Sequence, residues 1–569
     1  MTLWSFRFLL YLLCHVLLVD AMFTKRPLPK TEELIAAKRL RENLVDLYAS
    51  NIVSADRAGN LFSDAELAGA AHVKDLAMKS CPKNCSRGLM SKLLKRSSWP
   101  SLYYAKIRLY CLKKQQIVLQ WVPVLLPHEL LAALLQYNDV GTLCRTSSAA
   151  ECTKTRIESL SNEHNIKQLI GFGLWGDGVP ANWDRSESYE ILSLNLPGVA
   201  KLRLPITCVS KKFWTKESQD DLMAIITWSC DAAFSGVHPT ARHDGAAFTH
   251  PRGDGKRKKT AGKSLGYQAA LVEIRADWSW YQSALRFPAH NTKLGCCWKC
   301  SATPQTMRQN DLHAEWRQHP LTHWDNLRRW LEQGRGVSPI FSAPTVTIDI
   351  CQIDWLHAMD KGVAASFLGS LLWMLMPLMR GENLSARCSS FLKLIQQWYQ
   401  DHGTTDRFQN LVPTMIKQPK KTPELRGNAS QIRALVPCCA DLATNYLCDE
   451  EPQITAKQAA QLLAEVYDNL AHGRYHSADI AVKYRQFVTL VAALEASSNK
   501  QWRLKPKFHL ACHLAESRSN PADTWTYRDE DFGGAVAALT RRRGGTSSPL
   551  ATARRMLRFF CIKHKVPYL

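Results

Sequence analysis

Hydrophobic and polar positions fall into three rhythms along this chain. Residues 31 to 50 return Leu34, Ile35, Leu40, Leu44 and Leu47 near helical spacing, with Thr31 as N-cap and acidic residues in the first turn. Residues 102 to 126 alternate in strand fashion on either side of Lys113-Lys114, which predicts a hairpin, and a helix opens near Pro127-His128-Glu129. Asn165 to Leu174 reads as a strand ending at Trp175-Gly-Asp177-Gly. Ser188 to Leu196 and Lys201 to Val209 read as two more. Thr215 to Phe234 is a long helical pattern opened by a capping-box-like Thr-Lys-Glu-Ser. Tyr267 to Ile274 returns to strand character and leads into Asp277-Trp-Ser-Trp. From about residue 320 to 515 nearly everything is helical in period, with segments at 355–378, 384–402, 431–447, 455–472, 477–496 and 507–516. No internal repeat is evident.

Three strands, a helix, a fourth strand and then a carboxylate is the order of a ribonuclease-H-like fold: an antiparallel trio, a helix, and a parallel strand beside the first. Such a sheet brings the ends of the first and fourth strands together, so Asp177 and Asp277 would converge. The expected fold is therefore an α/β ribonuclease-H-like core with a mixed five-stranded sheet, a large all-α insertion and a mixed α+β N-terminal region. The expected boundaries are 1–23, a leader-like segment or buried helix; 24–160, the N-terminal region; 161–320, the first part of the core with a cysteine knuckle; 321–515, the helical insertion; and 516–569, a returning core helix and basic tail.

Composition adds a partner. The 569 residues are 46% hydrophobic and 22% charged, a globular balance, but the formal net charge is +23. An excess that large points to a polyanion, because each Lys or Arg that meets a phosphate releases condensed counterions. Most of the 18 cysteines are scattered singly through apolar stretches, which suits buried thiols in a reducing compartment rather than a disulfide framework. Met1 to Phe23 conflicts with this. One Arg, an apolar run and Val19-Asp20-Ala21 resemble a secretory leader, and the alternatives are an unreliable start site or a buried helix.

Two-metal phosphodiester chemistry needs at least three acidic side chains on rigid elements that meet. Asp177 and Asp277 each follow an apolar strand, where an unpaired charge is costly unless it binds something. The competing reading of either is a turn or helix cap. Trp525-Thr-Tyr-Arg-Asp-Glu530-Asp-Phe offers further carboxylates, or an exposed acidic turn. Cys297-x-x-Cys300 has zinc-knuckle spacing, with Cys296 as an alternative first ligand and His290 and His313 as the nearest further candidates; buried structural thiols are the competing reading. His509 and His513 stand one helical turn apart, and core or supporting roles are favoured over metal ligation. The segment His250 to Lys263, with Lys256, Arg257, Lys258 and Lys259, reads as an exposed loop for phosphate contact or nuclear import, or simply a solvated one. Arg541, Arg542 and Arg543 form a second basic run.

Several of these pieces, in order, resemble CACTA-type (En/Spm-like) transposases and their Plavaka-like relatives. They are Asp277-Trp-Ser-Trp-Tyr, Phe287-Pro-Ala289, Lys293-Leu-Gly-Cys-Cys-Trp-Lys-Cys300, Asp354-Trp-Leu-His357, Lys505-Pro-Lys-Phe-His509, His513-Leu514 and Trp525-Thr-Tyr527-Arg-Asp-Glu530-Asp-Phe532. The resemblance spans roughly residues 165 to 540. It implies Asp177, Asp277 and Glu530 as catalytic carboxylates binding Mg²⁺ or Mn²⁺, a structural Zn²⁺ at the cysteines, and a supporting or DNA-contacting role for Asp354 and His357. It implies cleavage and transfer of DNA strands, with element ends and target DNA as partners, a homo-oligomer, no small-molecule substrate, no membrane, and a nuclear location. The sequence departs from the pattern in the longer spacing from Asp277 to Pro288-Ala289, in the acidic run around Glu530, and in lacking a clear N-terminal zinc domain, of which Cys81 and Cys85 would be a remnant. An inactive, domesticated DNA-binding derivative is the alternative.

Overall fold

A computed structural model describes residues 30–77, 84–180, 182, 184, 186–471, 473–497, 500–543 and 549–569. The leader-like segment and Cys81 lie outside them. The chain divides into two compact units, Met1–Ser97 with Arg558–Lys565, and Ser98–Leu557 with Val566–Leu569. The divide falls at residue 97 rather than near 160, because the hairpin belongs to the second unit. Its Arg108 forks onto Asp221, and Leu125 N–H donates to the Ile206 carbonyl at 2.8 Å.

The first unit is helical. Its described elements are Lys30–Ala49, Ala55–Leu67, Cys85–Lys95 and the end of the last helix. Ser54 caps the second by accepting from Arg57 N–H. Tyr48, Phe62 and Leu89 are buried, and the Tyr48 and Phe559 rings meet edge-on at 5.5 Å.

The second unit is mixed α/β. It carries a two-stranded hairpin, β1 (Tyr103–Cys111) and β2 (Gln116–Val124), and a five-stranded mixed sheet. The sheet consists of β3 (Leu169–Pro180), β4 (Ser188–Leu196), β5 (Val199–Ser210), β6 (Gln268–Ala276) and β7 (Cys351–Ile353), in the order β5-β4-β3-β6-β7. β3–β4 and β4–β5 are antiparallel, while β3–β6 and β6–β7 are parallel. Parallel neighbours require crossovers, and the first is helix α1, Lys216–Ser235. Thr215 and Ser218 close a reciprocal capping box at its start, and Gly236, at φ 71°, ends it in the left-handed region where glycine carries no steric penalty. Helix α2, Trp278–Leu285, follows β6 directly.

Two differences from the sequence reading matter for the site. β3 does not stop before Asp177 but runs through it to Pro180. The stretch expected to be wholly helical also contains β7, the fifth strand, at Cys351–Ile353. Beyond β7 the helical block holds as expected. A π-helical segment, Leu356–Ala364, runs into Ala365–Leu375, followed by Leu384–Asp401, Ala429–Tyr446, Gln453–Asp468 and Ser477–Ser497. Leu356–Leu378 is long and apolar enough to cross a membrane, with mean hydropathy 1.4, but most of it is buried inside the protein. Helices α3, Pro506–Ala515, and α4, Tyr527–Arg543, return the chain to the sheet. On α4, Ala537 joins Trp175, Val179 and Ile191 in one buried cluster, and a Cβ at Gly533 would collide with Val179 and Trp175.

Candidate metal and acidic centres

The sheet register lines up three carboxylates. Trp175 pairs with Arg275, and Arg275 with Gln352, across β3, β6 and β7. Two residues farther along each chain stand Asp177, inside β3, and Asp277 and Asp354, each the residue that follows its strand. Neighbouring strands lie about 4.8 Å apart. Side chains alternate along a strand, so Asp177 shares the face of Trp175 and Val179, which is covered by α4, the helix that carries Glu530.

That helix is fixed by a buried ion pair. Asp529 is fully buried and is forked by Arg203 of β5, with the Arg203 Nη2–Asp529 Oδ2 bond at 3.0 Å. Arg275 of β6 lies 4.0 Å from the same carboxylate and 2.7 Å from Glu273. The acidic run is therefore no surface turn: Asp529 clamps the helix to the sheet, Glu530 faces the acidic row, and Asp531 is exposed.

Asp354 is buried and heavily bonded. It accepts from His357 Nδ1 at 2.6 Å, His357 N–H at 3.1 Å, Thr526 N–H at 3.0 Å and Thr526 Oγ1 at 2.8 Å. Burial works against its charge, but His357 and Thr526 hold it below the usual carboxylate range. His357 Nε2 stands 3.8 Å from Glu530 Oε1. Burial disfavours the imidazolium, yet Asp354, Glu530 and Asp277 outweigh it and raise the His357 pKa. Burial, reinforced by the charge of Asp277, raises Asp177, while His357, Gly178 N–H and Lys211 oppose it. Burial, reinforced by Asp177, pushes Glu530 up to about 7. Asp277 is also the N-cap of α2, accepting from Trp280 N–H at 2.6 Å. With Asp354, His357, Trp278, Trp298 and Lys507 it lines a cavity of about 180 Å³. Burial lowers the Lys507 pKa.

A second centre lies beside that cavity. Cys297, Cys300, His509 and His513 bring one ligand atom each to within 4.8 Å of all the others, the one such group among the described residues. Cys300 Sγ is 3.3 Å from His509 Nε2, Cys297 Sγ is 3.5 Å from His513 Nε2, and the two imidazole nitrogens are 3.3 Å apart. This set can hold a metal such as zinc. Burial lowers the His509 pKa and favours the neutral, ligating imidazole. The partners of the Cys-x-x-Cys pair are thus the histidines of α3, for which the sequence favours core or supporting roles, and not His290 or His313. Cys296 is outside the group, facing the Ala302 carbonyl at 3.3 Å and Met307 Sδ at 3.9 Å. The carboxylates of Asp177, Asp277 and Glu530 are spread more widely than the quartet.

The basic segment is also revised. Asp254–Thr260 forms a short helix whose Lys256, Lys258 and Lys259 are exposed. Arg257 is 6% exposed and forks onto Glu129 at 2.7 Å through both Nε and Nη2, so it serves the core and not a phosphate. Arg541 is half-buried and reaches the Pro180 carbonyl at 3.5 Å; the side chains of Arg542 and Arg543 lie outside the described residues.

Two groups escaped the sequence reading. Glu190 of β4, pushed by burial to about 7, binds Trp280 Nε1 at 2.6 Å and Lys211 at 3.3 Å. Asp360, on the π-helical segment, is fully buried and accepts from Trp355, Tyr467 and Tyr527, at 3.2, 2.7 and 2.6 Å. An apolar helical pattern hid the second; no signal in the pattern marked the first. No protein-family model matches the chain, and no curated protein matches it in sequence.

Proposed function

We propose that this protein is a transposase-like DNA enzyme, built on a ribonuclease-H-like core, that cleaves and transfers DNA strands. The observation that carries the reading is that Asp177, Asp277 and Asp354 each stand two residues beyond a set of paired positions on three neighbouring parallel strands, with Glu530 facing them from the covering helix. The sheet order and strand directions agree with a ribonuclease-H-like core, as does a helix crossing back over the face that bears the acids.

The donor set suits hard divalent cations, Mg²⁺ or Mn²⁺, held by Asp177, Asp277 and Glu530. Glu530 Oε1 supports this, being buried with no hydrogen-bond donor, a state that folded proteins rarely tolerate. Bound there, such ions would stabilise charge on the attacking and leaving oxygens of a phosphodiester. Asp354 is held ionised and can only accept, so His357 keeps its proton on Nδ1 and turns Nε2 to Glu530. Lys507 adds positive charge beside Asp277. The Cys-His quartet suits a closed structural zinc site, and it ties α3, which carries Lys507, to the segment after α2. The exposed lysines of the 254–260 helix and the net charge of +23 supply sequence-independent affinity for the DNA backbone.

Asp277→Asn is expected to abolish Mg²⁺-dependent cleavage of element-end DNA while leaving salt-sensitive binding measurable. Unchanged cleavage in the variant refutes the assignment. A wild-type chain that binds DNA but cuts none at any divalent-metal concentration supports the domesticated, inactive derivative instead.

A further inference from the structure

We infer that a second cavity, on the sheet face opposite the acidic row, receives one unstacked nucleotide of a DNA strand. The cavity has a volume of about 610 Å³, within the size range of small-ligand sites. Glu190 and Lys211 line one side, and Trp214, Lys216 and Gln219 line the start of α1. Arg286 and Arg335 also line the cavity. It adjoins the row: a Cβ on Gly178, the residue after Asp177, would strike the Lys211 ammonium, so that ammonium lies against the strand there.

Its chemistry is that of a nucleotide site. Lys211, Lys216, Arg286 and Arg335 line it with one acid, Glu190, which Lys211 pairs at 3.3 Å, while Arg286 is paired with Asp220. At the start of α1 the Thr215 side chain satisfies Ser218 N–H and the Ser218 hydroxyl accepts from Thr215 N–H. The observation that calls for a ligand is Gln219. It is 3% exposed; its Oε1 accepts from Trp214 Nε1 at 2.7 Å, and its Nε2 has no partner. A buried amide donor left unpaired in a cavity wall is costly unless an incoming acceptor completes it. A base edge or phosphate oxygen is such an acceptor, and the Trp214 indole beside it offers an aromatic surface for the base. A cavity for one base suits an enzyme that holds part of its DNA unstacked. The inference rests on the nucleic-acid reading above and adds a subsite to it.

The test is strand affinity, which is independent of cleavage. The full-length protein is titrated with a short single-stranded oligodeoxynucleotide and with the same strand carrying one abasic position, with deoxyadenosine monophosphate and inorganic phosphate as competitors. Lys216→Glu, at an exposed position, and Trp214→Ala should each weaken binding of the intact strand by roughly tenfold, the loss expected for one stacking or phosphate contact. The abasic strand should bind wild type as weakly as the intact strand binds Trp214→Ala. Deoxyadenosine monophosphate should compete and inorganic phosphate should not. Equal affinity for intact and abasic strands, or wild-type affinity in both variants, overturns the inference, as does a failure of deoxyadenosine monophosphate to compete. If strand affinity ignores these changes while Asp277→Asn still abolishes cleavage, only the nucleotide subsite fails. If affinity responds but Asp277→Asn still cuts, the catalytic assignment fails and the subsite stands.

Discussion

The Cys297–Cys300–His509–His513 quartet and the acidic row around Asp277 are assembled alike, from segments far apart in the chain, but to opposite specifications. The quartet brings sulfur and nitrogen atoms within 4.8 Å of one another, with three of its four residues buried. The acidic side chains are more widely spaced and half-open: burial with the charge of Asp277 raises the Asp177 pKa, and burial with the charge of Asp177 raises that of Glu530. A closed set of soft donors completes itself and supports the fold, whereas an open set of oxygens leaves its completion to what binds. Substitutions should therefore separate the two, with stability lost on one side and chemistry on the other.

The largest effect on stability is expected at the quartet. Cys300→Ser should lose bound zinc and lower stability by about 4 kcal/mol or more, the upper end for single substitutions. Asp277→Asn should keep both its zinc and its melting temperature. Metal analysis with thermal melts checks both, and a Cys300→Ser protein with unchanged zinc and Tm would remove the distinction.

Arg203→Ala comes next. It leaves Asp529 buried with only the more distant Arg275 for compensation, which should cost about 3–5 kcal/mol in urea unfolding. The helix that presents Glu530 loosens while zinc content stays at the wild-type level. Adding Asp529→Asn should recover part of the loss.

The smallest effect is a pH dependence at Asp360, which links the π-helical segment to Tyr467 and to Tyr527 at the start of α4. Burial raises its pKa from 3.8 to about 7, against the pull of the two tyrosine hydrogen bonds. The folded state thus holds this proton more tightly than the unfolded state. That contribution is complete below the ordinary 3.8 and is lost as pH rises through about 7. Asp360→Asn should flatten the fall in Tm across this window, and an unchanged slope would show that Asp360 does not titrate there.

Much of this architecture was legible in the sequence because the long strands carry their own period. Ser188–Leu196 is found at the residues expected, and the Thr215 capping motif opens α1 as read. Asp177 reads as following an apolar strand, yet β3 continues through Gly176 and Gly178 to Pro180. In the sheet those glycines admit Trp280 and Lys211, whose atoms a Cβ would strike. β7 is three residues long, too short for any period, and with it went the alignment of Asp354 with Asp277. The partners of Cys297 and Cys300 lie 216 and 209 residues away, beyond the reach of local spacing. Charge runs hid two buried residues. Arg257 and Asp529 sit within polar stretches that read as exposed, and each is buried against a partner contributed by a distant segment.

The most direct test of the acidic row is Mn²⁺ binding, followed by electron paramagnetic resonance on zinc-loaded protein. If Asp177, Asp277 and Glu530 hold divalent ions, wild type should take up Mn²⁺ beyond its zinc, and Asp277→Asn should lose that uptake with zinc retained. Equal Mn²⁺ uptake by the two proteins would contradict the assignment.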